Sequence, residues 1–240
     1  MEEGLPEALA AGSLPLCTGP LEVVDFRTLD GCRRLCDETA AEAVRQRISD
    51  FPTEDVHWID SGDFHYLTAF WCARLRQPFD LVLLDHHTDM QPAAFDGLLT
   101  CGSWVLEMLR HNSELRKVVI LGASESLRCE TEGFPGRVVM FSENEVSGLS
   151  AEDLHKLVVP HLSGAGLYVS VDKDVLACSE YATNWDQGSL LLEPMCGFLR
   201  LMRSEGPRRL IGVDICGCTD FPSPRDLAAD LAIISAVSGC

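Results

Sequence analysis

Short β-branched runs alternate with longer amphipathic stretches along most of this chain. The runs 21–26 (LEVVDF), 56–60 (VHWID), 80–85 (DLVLLD), 117–122 (KVVILG), 137–141 (RVVMF), 166–172 (GLYVSVD) and 209–214 (RLIGVD) predict strands. The central ones are continuous apolar segments, the pattern of strands covered on both faces. The stretches 38–49, 65–76, 96–111, 151–161, 189–204 and 224–237 predict helices. Ser150 followed by Glu152 and Asp153 supplies a helix start, and Pro222 and Pro224 flank the start of the last helix. Residues 1–20 have no periodicity and read as loop. The β–α alternation predicts an α/β fold, one largely parallel sheet with helices on both sides. No repeat or linker divides the chain, so 1–240 is expected to be a single domain.

Composition narrows the class. Hydrophobic residues make 46% and charged residues 23%, which excludes a disordered chain, a coiled coil and a collagen. No apolar run reaches the ~18 residues of a membrane span. Thirty-seven acids against nineteen bases give a net charge of −18. Such a chain repels nucleic-acid phosphates and favours cationic small molecules. There are eleven cysteines, and the opening MEEGLPEALA is acidic with no basic leader segment. The expectation is free thiols in a reducing cytoplasm. Cys216 and Cys218 form a C-x-C without the second pair that a structural zinc site wants.

The acids are not evenly spread. Asp60, Asp85, Asp172 and Asp214 each end a predicted strand, and parallel sheets bind ligands at the carboxyl ends of their strands. In Asp85-His86-His87-Thr88-Asp89, an extended chain would put Asp85, His87 and Asp89 on one face. Carboxylate, imidazole, carboxylate suits Mn²⁺ or Zn²⁺. Asp172 and Asp174, in Ser170-Val171-Asp172-Lys173-Asp174, share a face in the same way, with Lys173 opposite. Two carboxylates pointing together repel unless a cation lies between them. A third segment, Asp60-Ser61-Gly62-Asp63-Phe64-His65, follows a strand and opens a helix, so His65 can lean into the same crevice.

With these motifs in this order, residues 56–216 resemble the arginase/agmatinase (ureohydrolase) superfamily. The resemblance implies a three-layer α/β/α fold and two divalent metal ions, with Mn²⁺ favoured by the mixed Asp and His ligands and Zn²⁺ or Fe²⁺ as alternatives. One ion would take His65, Asp85, Asp89 and Asp172; the other Asp85, His87, Asp172 and Asp174. The implied reaction is hydrolysis of a C–N bond in a guanidino or amidino compound by a metal-bridging hydroxide. Asp174 is the implied proton carrier. The substrate would be small and cationic, and a trimmed pocket would admit a guanidino group on a larger molecule. Asp214 stands where arginases carry a substrate-binding Glu after a late strand, which gives it a catalytic and substrate-binding role, with capping or a buried hydrogen bond as its other reading. Asn184, Trp185 and Asp186 lie in the segment that forms the pocket rim in ureohydrolases.

The chain departs from the family pattern in three ways. Phe64 separates Asp63 from His65 where the family has Gly-Gly-Asp-His. The loop 90–104 lacks the His that shuttles protons in arginases, and the spare His86 faces away. Asp214 is shorter than the Glu it replaces. The alternatives are a deacetylase-type amide hydrolase on the same fold and a metal-binding relative without turnover. The family often forms trimers or hexamers, so a homo-oligomer is compatible with the resemblance.

Overall fold

The computed structural model describes residues 22–26, 28–95, 97–204 and 209–238. The loop expected over 1–20 lies outside them. Six strands make the central sheet: β2 (Val56–Trp58), β3 (Phe79–Leu84), β5 (Leu115–Ala123), β6 (Val138–Ser142), β7 (Gly166–Asp172) and β8 (Leu210–Cys216). Their order is β2-β8-β7-β3-β5-β6 and every pairing is parallel. Two short strands, β1 (Leu35–Cys36) and β4 (Leu99–Thr100), pair antiparallel beside it. The helices are α1 (Glu38–Ile48), α2 (Leu67–Cys72), α3 (Trp104–His111), α4 (Glu143–Val146), α5 (Ala151–Val158), α6 (Leu192–Ser204) and α7 (Pro224–Ser238). Among the described residues no helix is long and apolar enough to cross a membrane.

The sheet divides the core into two layers. Phe79, Leu81 and Leu83 of β3, with Val118 and Ile120 of β5, pack against α1, α2 and α3. The alternate residues Val82, Leu84, Val119 and Leu121 pack against α4, α5, α6 and α7. Every residue of β3 is therefore buried, which is why its sequence is unbroken apolar rather than alternating. The chain leaves β3 for β5 and β6 on one side, then returns to β7 and β8 on the other. The strand order thus reverses between β3 and β7, where doubly wound sheets open a ligand crevice. Leu84 pairs with Val171, and Asp172 pairs with Cys216. Asp85 and Asp172 consequently emerge side by side at the mouth of that crevice.

Three expected elements differ. Residues 22–26 are irregular: Val23 is exposed, and the Asp25 carbonyl accepts from Arg47 instead of joining a ladder. The helix expected over 65–76 is only Leu67–Cys72, preceded by a 3₁₀ turn, Gly62–Phe64. The helix expected from 96 begins at Trp104. Gly97 adopts φ +81°, a left-handed conformation that breaks a helix, and Leu99–Thr100 turn aside to pair with β1.

The turn after β7 is pinned from behind. Lys173 is fully buried, with Nζ 2.7 Å from Asp230 Oδ1, 2.7 Å from the Tyr181 hydroxyl and 3.0 Å from Cys218 Sγ. It also lies 4.4 Å from the ring centres of both Trp58 and Tyr181. Breaking a buried pair leaves a lone buried charge, at a cost of about 3–5 kcal/mol. Lys173→Met is therefore expected to lower unfolding stability by about that much in urea titrations. The double variant Lys173→Met/Asp230→Leu should recover most of the loss; no recovery would mean the pair is not the cause.

Candidate metal centre

Two turns deliver the acidic side chains. After Leu84 the chain bends, and the His87 N–H donates to Asp85 Oδ1 at 2.6 Å. Asp89 takes φ +51°, a left-handed conformation that Asp tolerates better than most residues. Asp85, His87 and Asp89 thus converge through a turn, not through the strand alternation expected from sequence. Likewise Lys173–Val175 is a 3₁₀ turn. The Asp174 N–H donates to Asp172 Oδ1 at 3.0 Å, which folds both carboxylates onto one point. Asp174 Oδ1 in turn accepts the His86 N–H at 2.9 Å, tying the two turns together.

His65 enters from the start of α2. Its Nδ1 lies 3.0 Å from Asp89 Oδ2, 3.3 Å from Asp85 Oδ2 and 3.5 Å from Asp172 Oδ2. The extra Phe64 does not displace it. His87 Nδ1 lies 3.0 Å from Asp174 Oδ2 and 3.4 Å from Asp85 Oδ1. Asp85 therefore offers one oxygen to each imidazole, and it is shared by two ligand groups, His65–Asp85–Asp89 and Asp85–His87–Asp174, while Asp172 groups with His65 and Cys216. His65, Asp85, His87, Asp89, Asp172 and Asp174 line a cavity of about 100 Å³.

Electrostatics make the cluster demand a cation. Asp85, Asp89, Asp172 and Asp174 are all buried. Burial and the charge of Asp85 push Asp89 up to about 6. The same causes raise Asp172, and burial with both neighbouring carboxylates raises Asp174 well above its usual range. Asp85 is held low despite burial, because His65 and His87 donate to it. Despite burial, Asp174 and Asp85 lift His87 to about 12. Oxygen and imidazole donors packed this closely are a fitting set for divalent ions such as Mn²⁺.

Sequence reasoning gave no role to several supporting residues. His65 Nε2 lies 2.9 Å from Ser170 Oγ, and Ser170 donates to Asp214 Oδ1 at 2.5 Å. This chain of hydrogen bonds leaves Nδ1 as the nitrogen that faces the carboxylates. Ser170 lies two residues before Asp172 on β7, a same-face spacing that signals its place. The Trp104 indole N–H bonds Asp89 Oδ2, and Cys216 Sγ donates to Asp172 Oδ2 at 3.0 Å.

Other expected residues lie elsewhere. Asp60 is exposed. Of the rim segment, Trp185 lines the cavity, whereas Asn184 and Asp186 are exposed and do not. His86 faces away, 3.9 Å from both Glu143 and Asp186.

No family model matches the sequence. A protein of Thermotoga maritima, described only as uncharacterised, is 33% identical over 186 residues, which are 76% of this chain and 67% of that one. Proclavaminate amidino hydrolase from Streptomyces clavuligerus superposes with a TM-score of 0.66 at 18% identity, over 83% of this chain and 70% of its own. Arginase from Bacillus subtilis gives 0.66 at 14%, over 83% and 76%. Formimidoylglutamase from the same organism gives 0.64 at 17%, over 82% and 64%. The chain belongs to one family with the Thermotoga maritima protein, and its fold is the one these arginase-type structures share.

Asp214 does not line the cavity. It is fully buried within β8, two residues before the strand ends, beneath His65. Burial lifts it to about 6. It is a positioning residue acting through Ser170, not the substrate contact expected from sequence. The position after the strand is Gly217, at φ +89°. A Cβ there would fall 2.3 Å from Asp172 Oδ1, so this strand presents no acid to a guanidinium.

Two outcomes follow from this geometry. Ser170→Ala removes the support of His65 and is expected to weaken Mn²⁺ affinity about 10–100-fold, measured by calorimetry, with the fold retained. Metal binding should also displace protons, because burial and neighbouring carboxylates push Asp89 up to about 6 and Asp174 well above its usual range, and neighbouring carboxylates lift His87, despite its burial, to about 12. Apparent Mn²⁺ affinity should therefore fall as pH drops, by about tenfold per unit for each proton displaced. Titration in weakly buffered solution should register proton release on binding; an affinity flat between pH 5 and 8 would contradict this assignment.

Proposed function

We propose that the chain is a two-metal hydrolase that cleaves a C–N bond of a guanidino or amidino compound. The observation that carries this reading is the split of Asp85, with Oδ2 toward His65 and Oδ1 toward His87. His65, Asp85, Asp89 and Asp172 would hold one ion, and Asp85, His87, Asp172 and Asp174 the other. Mn²⁺ at these positions would supply water activation and offset charge that develops on the attacked group. Two ligand groups, rather than one, favour this reading over a deacetylase-type site.

The protein's own residues supply the rest. Hydrolysis adds water across the C–N bond, so one proton must travel from the attacking water to the departing amine. Asp174 lines the cavity, with Oδ2 3.0 Å from His87 Nδ1, and burial with the neighbouring carboxylates raises its proton affinity. It would hold that proton and return it to the amine nitrogen. The loop 90–104 offers no His to assist. His86, facing Glu143 and Asp186, does not replace one. Ser170 and Asp214 keep His65 oriented throughout.

Elemental mass spectrometry of protein purified with Mn²⁺ and no chelator is expected to find two ions per chain. Asp85→Ala and Asp172→Ala should each abolish metal retention. They should also abolish release of urea or amine from whichever guanidino compound the parent protein hydrolyses. Ions bound at 100 times their Kd would raise stability by about 2.7 kcal/mol, so thermal unfolding should show a higher Tm with Mn²⁺ than with chelator. Folded protein that retains no metal would overturn the reading.

A further inference from the structure

The two oxygens of Asp172 face different partners. Oδ1 accepts the Asp174 N–H at 3.0 Å. Oδ2 lies 3.5 Å from His65 Nδ1 and 3.0 Å from Cys216 Sγ. The register of β7 and β8 brings the thiol there: Ser170 pairs with Asp214, and Asp172 with Cys216. Alternate residues of a strand share a face, so the fully buried Cys216 stands on the same side of the sheet as the carboxylate. One donor atom from each of His65, Asp172 and Cys216 lies within 4.8 Å of the other two. The 3.0 Å between sulfur and oxygen fits inside the ~4.4 Å that a Zn–S and a Zn–O bond span end to end.

The other sulfurs nearby are placed differently. Cys218, the second half of the C-x-C, points to Lys173, with Sγ 3.0 Å from Nζ. The motif therefore does not chelate as a pair. Cys101 lines the cavity but joins none of the ligand groups among the described residues. The ligand group Asp85–His87–Asp174 holds no sulfur either. The two ion positions thus differ in chemistry: one has nitrogen, oxygen and sulfur within reach, the other nitrogen and oxygen. Thiolate is a soft ligand that selects ions such as Zn²⁺, whereas carboxylate-rich sets suit Mn²⁺. Mn²⁺ at both positions follows only if the thiol is left out of the donor set.

We propose that Cys216 is a thiolate ligand of the ion held by His65 and Asp172, so that this position takes a thiophilic divalent ion of the Zn²⁺ class while its neighbour keeps oxygen and imidazole donors alone. The inference rests on the two-ion reading and assigns the character of one ion. Without metal, the thiol is a hydrogen-bond donor to Asp172 Oδ2. On binding, the S–H bond breaks, the proton leaves to solvent and the freed electron pair forms the sulfur–metal bond, with no change of oxidation state. A bound cation deprotonates a coordinating thiol outright. Asp172 Oδ2, released from the S–H, turns its lone pair to the same ion.

Co²⁺ is the probe, because a thiolate ligand gives it a strong near-ultraviolet charge-transfer band, whereas oxygen and nitrogen ligands give only weak visible bands. Titration of the metal-free full chain with Co²⁺ is expected to show both. Cys216→Ser keeps a donor for Asp172 Oδ2 and removes the sulfur, so the near-ultraviolet band should vanish and the visible bands remain. Cys101→Ser should keep the near-ultraviolet band. By calorimetry, Cys216→Ser should weaken Zn²⁺ about tenfold or more and Mn²⁺ by no more than about threefold. A thiol that only oriented Asp172 would affect both ions alike. X-ray absorption of the Zn²⁺-loaded parent protein needs no variant and should show a sulfur shell at about 2.3 Å. Bound Co²⁺ without the near-ultraviolet band, a band that survives Cys216→Ser, or a zinc shell without sulfur overturns the role of Cys216 and leaves the two-ion reading standing. Folded protein that binds none of the three ions overturns both.

Discussion

Four carboxylates gathered in one buried place repel one another, and much of the structure exists to hold them there. Burial and the neighbouring carboxylates raise the proton affinity of Asp89, Asp172 and Asp174. Only Asp85, which touches both imidazoles, stays ionised with ease. Backbone N–H groups from His86, His87 and Asp174 aim individual oxygens. Behind the cluster, Lys173 directs its charge to Asp230 instead of the ligands. The cationic groups that touch the carboxylates are the imidazoles of His65 and His87, which are themselves donors a metal ion would take over, and that arrangement is the physical basis of the metal reading.

The switch between β3 and β7 explains why the demand falls at one point. Parallel neighbours in register bring Asp85, Asp172 and Cys216 to one level. Helices on both faces exclude water from the strands that carry them.

Much of this was legible in the sequence. The unbroken apolar runs at 80–85 and 166–172 marked central parallel strands, and the acids at their ends marked the crevice. The six proposed ligands lie together, although the route to convergence differs: local turns, with Asp89 at positive φ, rather than extended alternation. Period-two reasoning stops at the end of a strand, and hydrogen bonds between a side chain and the next backbone N–H then take over. Asp214 misled because sequence reveals that an acid follows a run of apolar residues but not where the ladder ends; β8 continues to Cys216. Asn184 and Asp186 were grouped with Trp185 by adjacency, yet a loop turns neighbouring side chains in different directions.

Gly217 also limits what this chain can become. The space a side chain would occupy there is already filled by a ligand oxygen of Asp172, 2.3 Å from the nearest Cβ position, and the backbone holds a left-handed turn. Restoring an acid at that position by a single replacement would push against the metal-binding carboxylate itself. A guanidinium clamp at this point of the strand is therefore closed to any single replacement of Gly217.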